Sequence, residues 1–331
     1  MYFQIFLAFL FSFLICFILG DSFIKLLKRF QSKGQPIRDD GPESHFSKAG
    51  TPTMGGIMIL ASAFISTLVF ADLSNKYIWL IWFVIISHAI LGFMDDYLKV
   101  KKANIAGVRG KLKLLFQLVI ASVACFMIQD LSPESYNTHV IIPFFQEYPL
   151  NVSYLYIPFG LFIMLASSNG ANLTDGLDGL VSVPLILNFT FFGFVSYSMQ
   201  DSIIAIPNVE EISILCASLV GGILGFLWYN SNPAQVFMGD VGSLSLGAGI
   251  GVMSIILKHE LWLAIVGMVF VIESLSVIIQ VYYFKWSGGK RIFKMAPIHH
   301  HFEKAGMPEV KVVNRFWIFS FICTIIAFSI L

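Results

Sequence analysis

Apolar residues run through this chain in long blocks, and short polar stretches separate them. Ten blocks stand out: 2–20, 54–71, 77–94, 112–129, 154–171, 179–198, 211–229, 241–257, 261–284 and 315–331. Each is about 17–25 residues long, enough to cross a hydrocarbon core of about 30 Å as a helix. The pattern predicts an all-α integral membrane protein, a polytopic bundle of about ten transmembrane helices in a single domain over 1–331. No basic segment precedes the first block and no small-residue cleavage site follows it, so it reads as a span and not a signal peptide. The longest of the even-numbered stretches between blocks, 130–153, carries Pro133 and Pro143 and is expected to form a small hairpin.

Composition sharpens this picture. Of 331 residues, 57% are hydrophobic and 12% charged, against about 25% charged in an average soluble domain. The four cysteines, Cys16, Cys125, Cys216 and Cys323, all fall inside apolar blocks. Lone buried cysteines act as small apolar side chains, so neither a disulfide nor a zinc site is expected.

The net charge of +1 says little, but its distribution orients the chain. Numbered along the sequence, the odd loops hold 19 of the 21 Lys and Arg residues, and the even loops hold Lys76 and Lys258. Basic residues near span ends stay in the cytoplasm. The odd loops (about 21–53, 95–111, 172–178, 230–240 and 285–314) are therefore expected on the cytoplasmic face, with both termini extracytoplasmic. Every candidate for chemistry falls in these five loops or at the span ends beside them.

Asp95 and Asp96 end the third block. At a helix C-terminus the macrodipole disfavours anions, so two adjacent carboxylates there call for a cation. Lys99, four residues after Asp95, stands in the favourable acid-then-base order. The stretch Asn169-Gly-Ala-Asn172-Leu-Thr-Asp175-Gly176-Leu177-Asp178 joins the fifth and sixth blocks. Its three-residue spacing from Asn169 through Asn172 to Asp175 shares one helix face, and its glycines allow close approach to a ligand. Asp178 is also placed to cap the sixth helix. Asn230 and the run Phe237-Met-Gly-Asp240 join the seventh and eighth blocks, and Asp240 has the same capping alternative. Phe237 suits either stacking on a base or dipping into the interface.

His299-His300-His301 lies in the last odd loop among basic residues. Consecutive histidines point apart on a helix and lack zinc spacing; imidazoles beside basic residues suit phosphate contacts. The first loop carries Lys48-Ala-Gly-Thr-Pro-Thr-Met-Gly-Gly. It matches neither the Walker spacing nor a dinucleotide fingerprint. Within the blocks, Glu273 is costly in lipid and is expected to face the bundle or a groove.

Carboxylates and amides without thiolates favour a hard cation. Mg²⁺ is usually held by one or two carboxylates plus substrate phosphates, and Lys99, Lys111 and Lys113 would balance phosphate charge. A membrane setting implies a lipid substrate. These features together fit Mg²⁺-assisted phosphoryl transfer between a soluble nucleotide and a lipid phosphate.

The quoted motifs resemble those of the polyprenyl-phosphate N-acetylhexosamine-1-phosphate transferase superfamily. Gly50 to Gly56, Asp95 to Lys99, Asn172 to Leu180, Phe237 to Ser243 and Met295 to Glu303 carry the resemblance. The Pro297-Ile-His-His-His-Phe-Glu303 run is similar to its phospho-N-acetylmuramoyl-pentapeptide transferase branch. One departure is Met307, where the branch more often has tryptophan. The resemblance implies transfer from UDP-MurNAc-pentapeptide to undecaprenyl phosphate, giving lipid I and UMP, with Mg²⁺, in a bacterial cell membrane. It implies a homodimer of ten-span chains with a bent ninth span, and no nucleic-acid partner. By resemblance, Asp240 matches a metal ligand, and Asp95, Asp96, Asp175, Lys111 and His299 match residues needed for activity. Asn230, Phe237, Gly176, Leu177 and Asp178 match the nucleotide region. Lys48, Lys99, Asn169, Asn172, His300 and His301 complete the candidate substrate contacts. A UDP-GlcNAc-dependent transferase of the same superfamily is the near alternative. A secondary transporter is the distant one, disfavoured because its polar sites belong near the bilayer midplane.

Overall fold

The computed structural model describes residues 1–31, 34, 48–102, 107–134, 136–146, 148–199 and 206–331. The middle of the first odd loop and part of the second lie outside them. The described residues form twelve α-helices and one small hairpin. In chain order the helices are α1 (Tyr2–Phe30), α2 (Gly56–Phe70), α3 (Lys76–Lys102), α4 (Gly110–Leu131), α5 (Tyr156–Thr174) and α6 (Ser182–Ser198). They continue with α7 (Ile212–Asn230), α8 (Gly239–Ile256), α9 (Glu260–Val266), α10 (Met268–Trp286), α11 (Ile298–Lys304) and α12 (Glu309–Ser329).

Each of the ten apolar blocks is helical; most ends shift by a few residues, but α1 runs on to Phe30 and α3 to Lys102. Seven helices are long and apolar enough to cross a membrane; α2 and α6 are apolar but shorter. The ninth block is broken. α9 ends at Val266 and α10 starts at Met268, with Gly267 between them. The expected hairpin is present: β1 (His139–Val140) pairs antiparallel with β2 (Leu150–Asn151).

α8 is the axis of the bundle, and all of its residues are buried. Its sequence, rich in Gly, Ser and Ala, lets neighbouring backbones come close, the usual device for helix packing in lipid. α3 and α5 pack along it, with α2, α6 and α9 completing the surround. Gly92 of α3 marks the tightest approach, since a Cβ there would collide with the backbone of Asp240. α1 lies along α7. The outer faces are apolar: Ile18, Val119, Phe126, Leu275, Ile322 and Ile325 are all exposed. A contiguous apolar exterior around a small-residue core fits lipid surroundings.

One correction concerns the helix carrying Asp95 and Asp96. The charge argument puts them at its C-terminal end, but α3 continues to Lys102. The dipole effect fades within the last turn, and Lys99, Lys101 and Lys102 occupy that turn instead. The aspartates are therefore not opposed by the helix end; what they face is another helix.

The α3–α8 contact gives a stability prediction. Gly92→Ala should cost about 1–3 kcal/mol by overpacking and lower the melting temperature in detergent. Gly110→Ala, where nothing lies within 4 Å of the added carbon, should leave melting unchanged.

Candidate active site

The site assembles where α3 leaves its apolar run, α4 and α8 begin, and α5 ends. Asp95 and Asp96 come from α3 and Asp240 from the first turn of α8. One oxygen from each of these three carboxylates can be chosen so that all lie within 4.8 Å of one another. All three residues are buried. Gly239 makes the approach possible: it takes a positive φ of 73°, and a side chain there would strike Asp96 and Thr53.

Two lysines and several hydrogen bonds hold this negative cluster. Lys99 Nζ lies 2.6 Å from Asp95 and 3.4 Å from Asp240. Lys113 Nζ, from α4, donates to Asp240 Oδ2 at 2.5 Å and lies 3.9 Å from Asp95. The Val108 N–H donates to Asp95 at 2.7 Å, and the Val241 N–H to Asp96 at 3.3 Å. Asn172 Nδ2 donates to Asp240 Oδ1 and Ser243 Oγ, both at 2.9 Å. Asp240 is not the cap of α8, which is Met238. Its carboxylate is turned into the cluster. At the second position of the helix it also gains from the positive end of the dipole.

Asp175 follows the last residue of α5. Burial, then the Asp240 and Asp96 carboxylates, raise its pKa well above the ordinary carboxylate range. Three clustered carboxylates thus face two lysines. Its donors are all oxygen, the set a hard divalent cation such as Mg²⁺ takes. The residues present fit that ion, and Asp95, Asp96 and Asp240 are the ones able to hold it.

Not every sequence candidate reaches the cluster. Lys111 is exposed, and the ion pairs to the carboxylates come from Lys113 and Lys99. Residues two apart on a helix face different ways, so Lys111 and Lys113 cannot both reach. The resemblance picks Lys111 and leaves Lys113 only as a balance for phosphate charge; in the structure Lys113 is the one at the carboxylates. Asn169 is half-buried and donates to Gln117 Oε1 and Leu165 O. Asn230 is buried, accepts from the Gly179 N–H and donates to Val236 O, so its amide joins two loops.

Asp178 is not a helix cap either, since α6 starts later and is capped by Val181. Its carboxylate is a loop hub. It takes Lys48 Nζ at 2.7 Å, and Asn232 Nδ2 and the Ala234 N–H at 3.0 Å each. Lys48 also contacts Glu309 Oε1 at 2.5 Å, and the Asp178 N–H donates to the same oxygen at 2.9 Å. Glu309, in the first turn of α12, gave no signal beyond an ordinary helix-start acid. Leu177 packs in an apolar cluster with Leu180, Val312 and Val313, against which Met307 also lies. Phe237 is half-buried, and its backbone pairs with Pro52 and Gly55, bracing the first loop.

The histidine triplet diverges, as its spacing requires. His299 is fully buried and faces Glu273 on α10. His300 Nδ1 lies 2.8 Å from Glu303. His301 accepts from the Lys294 N–H at 3.1 Å and contacts the Phe293 ring.

Comparison with known proteins identifies the family. Residues 78–258, which contain the carboxylates of the cluster, match the model of glycosyl transferase family 4. Residues 48–60 match phospho-N-acetylmuramoyl-pentapeptide-transferase signature 1. The chain is 54% identical to the phospho-N-acetylmuramoyl-pentapeptide-transferase of Rickettsia felis over 98% of its own length and 91% of the relative's. The corresponding proteins of Rickettsia montanensis and Rickettsia akari share the same identity and coverage. With its membrane helices and its carboxylate cluster, this chain belongs to the phospho-N-acetylmuramoyl-pentapeptide-transferase family of multi-pass membrane enzymes.

Proposed function

We propose that the protein transfers phospho-MurNAc-pentapeptide from UDP-MurNAc-pentapeptide to undecaprenyl phosphate, giving lipid I and UMP, with Mg²⁺. The observation that carries this reading is the convergence of Asp95, Asp96 and Asp240, flanked by Lys99 and Lys113. Names of the relatives supply the class of sugar nucleotide. Asp95, Asp96 and Asp240 would hold the ion, which supplies neutralisation of charge on the phosphoryl oxygens.

In the reaction an oxygen of the lipid phosphate attacks the β-phosphorus of the nucleotide. A new P–O bond forms, the bond to the bridging oxygen breaks, and UMP leaves with that oxygen. A phosphate monoester, with a second pKa of about 6, is largely dianionic at pH 7. It needs little help losing a proton, so an aspartate base adds less here than it would for an alcohol. We therefore favour single displacement. Lys99 and Lys113 lie where they can meet phosphate charge once substrate competes for them. Asp178, Lys48 and Asn230 keep the surrounding loops in place, and His299 presents one ring edge to the Gly176 turn.

The same reading takes the ten apolar blocks as ten spans of one membrane domain. The five odd loops lie at the cytoplasmic face of a bacterial membrane, both termini outside, and the chain works as a homodimer. The charge bias between odd and even loops supports this orientation.

Four outcomes follow from these assignments. Purified protein should form lipid I and UMP only with a divalent cation. Asp240→Asn should lower the rate on the order of 100-fold or more, read as UMP release; product from UDP-GlcNAc alone would instead favour the related GlcNAc-1-phosphate transferase activity. Lys113→Ala should reduce kcat roughly 10- to 100-fold, whereas Lys111→Ala should stay close to wild type; the reverse ranking would return Lys111 to the site. Single cysteines at positions 101 and 290 should resist an impermeant maleimide applied to intact cells, while one at position 74 reacts. Labelling of position 101 from outside would invert the topology.

A further inference from the structure

Glu273 is the buried acid that the proposed chemistry leaves unused. It lies in the first half of α10 with no exposed surface. A carboxylate at such a depth is costly in a membrane and marks a functional group more often than a structural one. Its Oε2 is 3.0 Å from Nδ1 of His299, which is equally buried in the first turn of α11. The two atoms are at hydrogen-bonding distance but off the ideal angle. Neither group has another hydrogen-bond partner among the described residues.

The other edge of the ring is the informative one. Nε2 of His299 also has no partner among the described residues. It abuts Gly176, where even one added carbon would collide with it. Gly176 directly follows Asp175, whose carboxylate senses Asp96 and Asp240. An unpartnered, fully buried ring nitrogen is therefore aimed at the turn that borders the carboxylate cluster. The His300 ring, 4.1 Å away centre to centre, flanks the imidazole on one side.

We infer that Glu273 is a positioning residue: its carboxylate accepts from Nδ1–H of His299 and so fixes the ring with Nε2 turned toward the Gly176 turn. A carboxylate behind a histidine sets both the orientation of the ring and which nitrogen carries the hydrogen. Without it, the ring loses its one polar contact and is free to rotate within its pocket. The inference rests on the reading that His299 serves the transfer reaction. It also gives a reason for an acid inside α10, on the far side of the imidazole from the substrate.

Steady-state transfer from UDP-MurNAc-pentapeptide to undecaprenyl phosphate tests this. The full-length protein would carry Glu273→Gln, Glu273→Asp, His299→Ala, or Glu273→Asp together with His299→Ala, with melting measured on each. Gln keeps the reach, but its NH2 can donate to Nδ1 and so leave the hydrogen on Nε2, and kcat should fall about 10- to 100-fold or more with melting little changed. Asp keeps the charge but withdraws it by one methylene, and kcat should fall about 10- to 100-fold with little change in KM or melting. The double variant should be no slower than His299→Ala alone, because the two residues act as a unit.

If Gln keeps the wild-type rate, the carboxylate does not set which ring nitrogen carries the hydrogen, and the inference is overturned. A double variant slowed by both factors overturns it as well. His299→Ala at the wild-type rate would remove both the inference and the role given to His299. Wild type that uses UDP-GlcNAc instead would refute the proposed substrate alone, and the same Glu273 series would then be read with that nucleotide.

Discussion

Three buried carboxylates repel one another, and the fold at the start of α8 is arranged to bring them together regardless. Asp95 and Asp96 come from one helix and Asp240 from another, so their proximity depends on how closely α3 and α8 pack. Gly92 lets the α3 backbone pass over Asp240, and Gly239 clears room for Asp96 and Thr53. The small-residue composition of α8 keeps the rest of the contact equally close along the bundle axis. The repulsion is offset by Lys99 and Lys113, by backbone N–H groups from Val108 and Val241, and by the positive end of α8 at Asp240. Neither lysine is matched to a single partner. Each spans Asp95 and Asp240, which suits groups that must give way when phosphate and a cation enter.

Much of this is legible in the amino-acid sequence alone. Block length identifies the helices because a membrane span has a fixed minimum length. Lys99 is readable as the partner of Asp95 because four residues is about one helical turn. The divergence of the histidines follows from the same geometry. What local spacing does not reveal depends on contacts between distant segments. Asp178 and Asp240 look alike in the sequence, each an aspartate placed near a helix start. Asp178 is the knot that ties Lys48, Asn232, Ala234 and Glu309, whereas Asp240 turns toward α3. Lys111 and Lys113 differ only in which face of α4 they occupy, and that face is set by α3 and α8. The length of α3 beyond Asp96 is hidden too, because apolarity stops where the helix does not.

The two ends of α8 carry different kinds of buried charge. At its start, the carboxylates outnumber the lysines. Beyond its other end, about 27 Å away for 18 helical residues, Lys258 Nζ is held by Asn137 O at 3.1 Å and Tyr156 Oη at 2.7 Å. Tyr156 in turn donates to Glu260 Oε1 at 2.6 Å. There the hydrogen bonds link the hairpin region to the helices and the opposite charges are matched, as a structural network requires. An excess of carboxylates over lysines at one end, set against a matched pair at the other, separates the end proposed to hold a cation from the end that holds the fold.

The same comparison separates Glu273 from the structural acids. Glu260 and Glu309 each bind groups that join chain segments, and their partners are themselves engaged elsewhere. Among the described residues the Glu273 carboxylate meets His299 alone, and His299 turns its remaining nitrogen to a glycine turn beside Asp175. An apolar pair of similar volume would join α10 to α11 at least as well, since burying charge usually gains no stability over good packing. Retaining an acid and a base in that contact makes physical sense when the free edge of the imidazole has work to do. The break between α9 and α10 at Gly267 leaves α10 a separate segment that packs against α5 and α11, while α9 packs against α12. On the inference drawn for Glu273, α10 then reaches the site through α11, alongside the carboxylate cluster that α3 and α8 assemble.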